Sequence, residues 1–310
     1  MTDPCRRHAL TMGSEVPEGD FRFRVHSVFA ASLNLTVAGQ SGLVTLAGAG
    51  TAERPRGIRL ATCERFDTWP VQAGTEGRRE GAQLVFDGTG GVVVLAVDLA
   101  QAEGARRRRL PHVDMHGADA RAAWAACAQR LGELQAAGDV DLRLAALCDR
   151  QPATTALGRR LAAAAVALGE GVRGRDAVAA DGAAADLVGL GAGLTPTGDD
   201  YLCGIMAALR SASRAGDANR RFALAWGRLL AERLTATTTV GATYLEGAIA
   251  GAFVGEIHAL VTALARGDAG APAALEALCG LGHSSGMDTA TGLLHGLWLR
   301  GDEEARRHAP

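Results

Sequence analysis

Two hydropathy rhythms divide the chain. Between residue 21 and about residue 99, apolar side chains recur at every second position or in short β-branched runs. Phe21-Arg22-Phe23-Arg24-Val25 alternates strictly, and residues 33–37, 43–46, 83–86 and 92–95 have the same strand character. Asp87-Gly88 and Gly90-Gly91 supply a turn between the last two. Short strands at this spacing predict a small barrel or sandwich over residues 21–110. From about residue 111 the rhythm is helical and the chain is rich in alanine. Residues 118–134 and 154–168 read as helices. Residues 239–264 read as one long helix, because Tyr244, Leu245, Ala248, Ile249, Ala252, Phe253, Ile257, Leu260, Val261 and Leu264 make a broad apolar stripe. The predicted class is α+β: a β-rich front, then an Ala/Gly-rich helical domain over residues 111–310. Residues 1–20 carry charges and no apolar segment, and read as a disordered leader rather than a signal peptide.

Within the helical part, one Gly-rich pattern occurs twice. The first copy is Gly189-Leu190-Gly191-Ala192-Gly193-Leu194-Thr195-Pro196-Thr197-Gly198-Asp199-Asp200, and it runs into an apolar helix that ends near Arg210. The second is Gly280-Leu281-Gly282-His283-Ser284-Ser285-Gly286-Met287-Asp288, and it runs into a helix that reaches Arg300. Both follow Gly-Leu-Gly, a loop, a hydroxyl residue, Gly, one residue and Asp; the first loop is three residues longer. Two such loops can face one site across a pseudo-twofold axis. Asp200, Gly204 and Ala208 share one helix face, as do Asp288, Gly292 and Gly296, and small residues there allow the two helices to touch.

Closely spaced glycines let backbone approach a ligand, and a helix start offers N–H groups to an anion. Gly191, Gly193, Thr195, Thr197, Gly198, Ser284, Ser285 and Gly286 are therefore candidate contacts for phosphate or a carboxylate substrate. Asp199, Asp200, His283 and Asp288 are candidate catalytic residues. His283 has a side chain that works as an acid or base near neutral pH. Two adjacent carboxylates beside an anion site repel it unless something intervenes. A magnesium ion on Asp199 and Asp200 would reconcile them, and the alternative is that one Asp only orients the loop. The structural alternative for the whole pattern is a capping box, since Thr197-x-x-Asp200 and Ser285-x-x-Asp288 both fit one with the hydroxyl residue as N-cap. Capping leaves the long glycine loops, Asp199 and His283-Ser284-Ser285 unexplained.

Composition narrows the chemistry. All 32 basic residues are arginine, so a lysine Schiff base and a P-loop lysine are excluded. Net charge is −2, which gives no global attraction to nucleic acid or an anionic membrane. The run Arg106-Arg107-Arg108-Arg109 reads as a solvated linker or a grip for phosphate or an acidic partner. Cys5, Cys63, Cys127, Cys148, Cys203 and Cys279 are scattered without C-x-x-C spacing, so neither a zinc ribbon nor a redox motif is indicated. Reduced thiols in a cytoplasmic protein are expected, with no organic cofactor. No run approaches the ~18 consecutive apolar residues of a membrane span.

With these residues in view, the chain resembles the AllH-type subunit family of oxamate carbamoyltransferase. The first loop carries most of the likeness, supported by Gly-His-Ser-Ser-Gly-x-Asp at 282–288, His26-Ser27-Val28-Phe29 with Asn34-Leu35, and Thr237-Thr238-Thr239 with Tyr244-Leu245. The family often has proline after the second glycine of the loop, where this chain has Ala192. The resemblance implies conversion of oxalurate and phosphate to oxamate and carbamoyl phosphate, late in allantoin and purine breakdown. It also implies two other kinds of subunit as partners. Two other readings stay open: a stand-alone magnesium-dependent enzyme on another phosphorylated or acyl substrate, and a non-catalytic scaffold.

Overall fold

A computed structural model describes residues 5–62, 64–106, 108–149, 151–212 and 217–307. Cys63, Arg107 and residues 1–4 of the expected leader lie outside the described residues. The chain forms two compact units, divided between Arg108 and Arg109.

The first unit is a closed barrel. Its strands are β1 (Cys5–Met12), β2 (Phe21–Val28), β3 (Ser32–Val37), β4 (Leu43–Ala47), β5 (Gly57–Leu60), β6 (Glu76–Glu80), β7 (Gln83–Asp87), β8 (Val93–Asp98) and the short β9 (Glu103–Gly104). They lie in the order β5-β4-β3-β2-β6-β7-β8-β1-β9, and β1 also pairs antiparallel with β5, Ala9 opposite Leu60, which shuts the ring. That closure decides for a barrel over a sandwich and removes free sheet edges. Period-two alternation puts Phe23 and Val25 of β2, and Leu33, Leu35 and Val37 of β3, into the barrel core. Between β7 and β8 the chain turns at Gly90, whose φ of 72° suits glycine, and Gly88 N–H bonds the Val92 carbonyl at 2.7 Å.

Residues 1–20 are corrected: they include β1, a full member of the barrel. Arg6, Arg7 and His8 read as a charged leader because β1 buries little apolar surface beyond Ala9. Strand β6 was also silent, since Glu-Gly-Arg-Arg-Glu turns only Gly77 inward, under the ring of Phe23.

The second unit is helical: α1 (Ala118–Ala137), α2 (Leu144–Cys148), α3 (Ala156–Gly174), α4 (Ala177–Ala185), α5 (Thr197–Ser211), α6 (Ala218–Ala231), α7 (Thr239–Ala250), α8 (Gly255–Arg266), α9 (Ala271–Cys279) and α10 (Ser285–Arg307). Helix α5 is buried along almost its whole length, and α10 packs along it. The single helix expected over 239–264 is corrected to two. Gly251, at φ 81°, ends α7 in a left-handed cap, and α8 starts at Gly255. An apolar stripe continues through such a break, so periodicity did not reveal it. Taken as one run, Thr239–Arg266 is long and apolar enough to cross a membrane by composition. The two helices have twelve residues each, roughly 18 Å against a hydrocarbon core of roughly 30 Å.

Candidate functional site

The two Gly-rich copies fold alike down to the backbone. In the first, Leu190 N–H bonds the Leu187 carbonyl at 2.9 Å and Gly198 N–H bonds the Leu190 carbonyl at 2.9 Å. In the second, Leu281 N–H bonds the Leu278 carbonyl and Gly286 N–H bonds the Leu281 carbonyl, each at 3.0 Å. A Cβ on Gly198 would stand 2.0 Å from the Leu187 carbonyl oxygen, and one on Gly286 would stand 1.9 Å from that of Leu278. Glycine is required at both points because another segment's backbone passes there. Gly189, Gly191, Gly193 and Gly282 have positive φ.

The following helices, α5 and α10, meet through glycine. A Cβ on Gly204 would stand 2.1 Å from the Thr289 carbonyl oxygen, and one on Gly292 would stand 2.0 Å from that of Tyr201. These contacts exchange under the shift of 88 residues that relates the copies. The pairing brings the N-terminal ends of both helices together, and with them Asp200 and Asp288. Each is buried, at 5% and 1% exposure.

Hydroxyls cross between the copies. Thr195 Oγ1 and Ser285 Oγ share a hydrogen bond of 2.6 Å. Asp200 of the first copy is favoured in its charged form by Ser285 of the second and by Thr195. Asp288 of the second copy is favoured in its charged form by Thr197 of the first and by Ser284. The expected capping boxes are corrected accordingly. Pro196, not Thr197, is the N-cap of α5, and it makes no side-chain cap bond. The Thr197 hydroxyl serves Asp288 of the other copy.

Burial dominates both carboxyls. It pushes Asp200 well up, and the neighbouring charges of Asp288 and Asp199 push in the same direction. It pushes Asp288 from the usual 3.8 to about 7, with a further rise from Asp141. Oδ2 of Asp200 and Oδ2 of Asp288 are buried and have no hydrogen-bond partner among the described residues. A buried acceptor left without a donor costs roughly 1–3 kcal/mol, and more when charged. Native structures leave few such groups unpaired.

Asp199 is different. Its Oδ1 accepts from Gly189 N–H at 2.8 Å and its Oδ2 accepts from the Thr237 hydroxyl. Thr238, the N-cap of α7, accepts from Gly241 N–H and donates to the Leu194 carbonyl. Asp199 therefore ties the first loop to the start of α7, with Gly241 kept small so that its carboxylate fits. Burial still raises its pKa, and the Thr237 and Gly189 donors oppose that rise. Both Asp199 oxygens are thus engaged within the protein. Among the described residues no three His, Cys, Asp or Glu side chains cluster as metal ligands.

The remaining candidates divide by exposure. His283, Gly193 and Leu194 are exposed at the loop tips, and Gly191, Thr195, Ser284 and Ser285 are half-buried. The N–H groups of Gly198 and Gly286 donate within the loops, to the Leu190 and Leu281 carbonyls. Sequence reasoning gave no site role to Gly189, Thr237, Thr238 and Gly241. The hydroxyl run 237–239 ahead of an apolar helix was an N-cap signal that could have placed α7 against the loop. A shallow cleft on the barrel, lined in part by Glu53, Arg54 and Arg59, includes none of these residues.

The model for oxamate carbamoyltransferase subunit AllH matches residues 187–297, and the model for the AllH family N-terminal domain matches residues 6–104. The chain belongs to the AllH family. The first match begins at Leu187, whose carbonyl Gly198 touches, and spans both loops and the α5–α10 contact. AllH proteins are subunits of oxamate carbamoyltransferase, so the family carries a transferase activity assembled from several subunits. No curated protein and no solved structure matches the chain.

Proposed function

We propose that this chain is a subunit of a carbamoyltransferase complex and carries part of its substrate site between the two Gly-rich loops. The substrates are a small ureido acid such as oxalurate and inorganic phosphate. The observation that carries the reading is the meeting of Asp200 and Asp288, each with a vacant buried oxygen, inside the segment matched by the AllH subunit model.

The reaction balances without a redox partner. An oxygen of hydrogen phosphate bonds to the carbamoyl carbon. The bond from that carbon to the oxamate nitrogen breaks, and its electron pair stays on the nitrogen. The proton of hydrogen phosphate ends on that nitrogen, giving oxamate and carbamoyl phosphate. A buried carboxyl that titrates near neutral pH, as Asp288 does, suits the relay of that proton. The exposed His283 stands at the loop tip as a second candidate for the relay.

The chain's own equipment is partial. It has no lysine, and its loops carry no thiol. Catalysis must also place two anions and stabilise a tetrahedral oxyanion. The partner subunits supply the remaining groups. The test is carbamoyl phosphate formation from oxalurate and phosphate, by the purified chain and by the chain with its two partner subunits. Activity only in the reconstituted set is expected. Full activity of the single chain would make it a stand-alone enzyme. No activity in any set, across a panel of carbamoylated acids, would leave a scaffold.

A further inference from the structure

We propose that Asp200 and Asp288 are the subsite for the amino group of the carbamoyl moiety, and that they select carbamoyl over acyl substrates. The inference rests on the carbamoyltransferase reading above and assigns two of its residues a specificity role.

The argument is a count of donors and acceptors. Gly198 and Gly286 N–H groups are spent on Leu190 and Leu281. The hydroxyls of Thr195 and Ser285 bond each other, and hydroxyls from both copies already serve the two carboxyls. Two buried carboxyl oxygens remain without a partner among the described residues, Oδ2 of Asp200 and Oδ2 of Asp288, and in their ionised form they only accept. A phosphate or carboxylate offers more acceptors and leaves them unmet. A carbamoyl or ureido NH2 offers two N–H donors on one nitrogen. The pseudo-twofold sets one such oxygen in each copy, near enough for the charge of Asp288 to act on Asp200. A methyl group of the same size would leave both oxygens buried and unpaired, and sites built to hydrogen-bond a substrate reject such analogues strongly.

Carbamoyl phosphate and acetyl phosphate test this directly, because they differ only in NH2 against CH3. Binding of each to the complete multi-subunit enzyme is measured by calorimetry, with and without a chelator. Carbamoyl phosphate is expected to bind about 100-fold tighter or more. Asp200→Asn and Asp288→Asn, which keep shape and remove a charge-assisted acceptor, are expected to cut that preference at least ~10-fold. Acetyl phosphate affinity should hardly change, and both variants should remain folded. The comparison in the unaltered enzyme needs no variant to fold. Equal affinity for the two phosphates would overturn the proposal, and so would a preference that survives both substitutions. Loss of binding with chelator and recovery with magnesium would also overturn it, since the oxygens would then hold an ion. If neither phosphate binds and no carbamoyl transfer is detected, the underlying carbamoyltransferase reading has failed as well; transfer activity without discrimination refutes this subsite alone.

Discussion

Gly204 and Gly292 each make room for the other's helix: a Cβ on the first would meet the Thr289 carbonyl at 2.1 Å, and one on the second would meet the Tyr201 carbonyl at 2.0 Å. Both obstacles are backbone, which cannot rotate away. Gly204→Ala and Gly292→Ala should each force α5 and α10 apart, despite alanine's better helix propensity of roughly 1 kcal/mol. Overpacking of a rigid core costs roughly 1–3 kcal/mol, and these sites should lie at or above the top of that range. Chemical denaturation checks it. A stability equal to wild type in either variant would mean the helices do not meet at these glycines.

The crossing of hydroxyls between the loops separates a shared site from two independent helix caps. Thr197 should couple to Asp288, which it favours in the charged form, and not to Asp200 three residues along its own helix. Double-mutant cycles on stability or ligand affinity, pairing Thr197→Val with Asp288→Asn and then with Asp200→Asn, read this out. A coupling of about 0.5 kcal/mol or more is expected only in the first cycle. Coupling in the second cycle alone would restore the capping box.

Asp199 and Thr237 should behave as a structural pair that positions the first loop. Removing one partner leaves the other buried and unmet, at a cost of roughly 1–3 kcal/mol. Asp199→Asn and Thr237→Val should each destabilise the protein, and the double variant should cost less than their sum. KM should rise with little change in kcat, because the loop is displaced while the groups near the substrate remain. Unchanged stability with a collapse of kcat would instead put Asp199 among the reacting groups.

These relationships were unequally legible in the sequence. The repeated Gly-Leu-Gly and hydroxyl-Gly-x-Asp patterns made the paired loops visible, and the shared face of Asp200-Gly204-Ala208 and Asp288-Gly292-Gly296 foretold the contact of α5 with α10. The identity of each aspartate's partner was not readable. A capping box and a cross-copy hydroxyl contact use the same residues, and only packing chooses between them. The tie from Asp199 to Thr237 spans 38 residues, so no local pattern carries it. In the barrel, β2 and β3 announced themselves by alternation. Strands β1 and β6 did not, because closure of the ring supplies the burial and pairing that their own side chains lack.

The pH dependence of stability should expose Asp288. Its folded pKa of about 7 lies above the usual 3.8, so the folded state binds a proton that the unfolded state releases between those values. The stability this proton contributes is full below about pH 4 and is lost as pH rises through 7. A gap of about three units corresponds to about 4 kcal/mol at most. His295 opposes it. Burial, together with the charge of Arg173, holds its pKa down to about 3, and its Nδ1 lies 2.7 Å from the Tyr201 hydroxyl. Stability from neutral His295 therefore rises with pH over nearly the same window and offsets part of the Asp288 effect in the wild type. The difference between Asp288→Asn and wild type cancels the His295 contribution. Asp141 and Asp200 also act near Asp288, and they remain in both proteins. The variant should gain on wild type as pH rises from 4 to 8, by about 2–4 kcal/mol in denaturant titrations. Parallel profiles across that range would show that Asp288 ionises normally, and its buried oxygen would then have a partner in the folded protein.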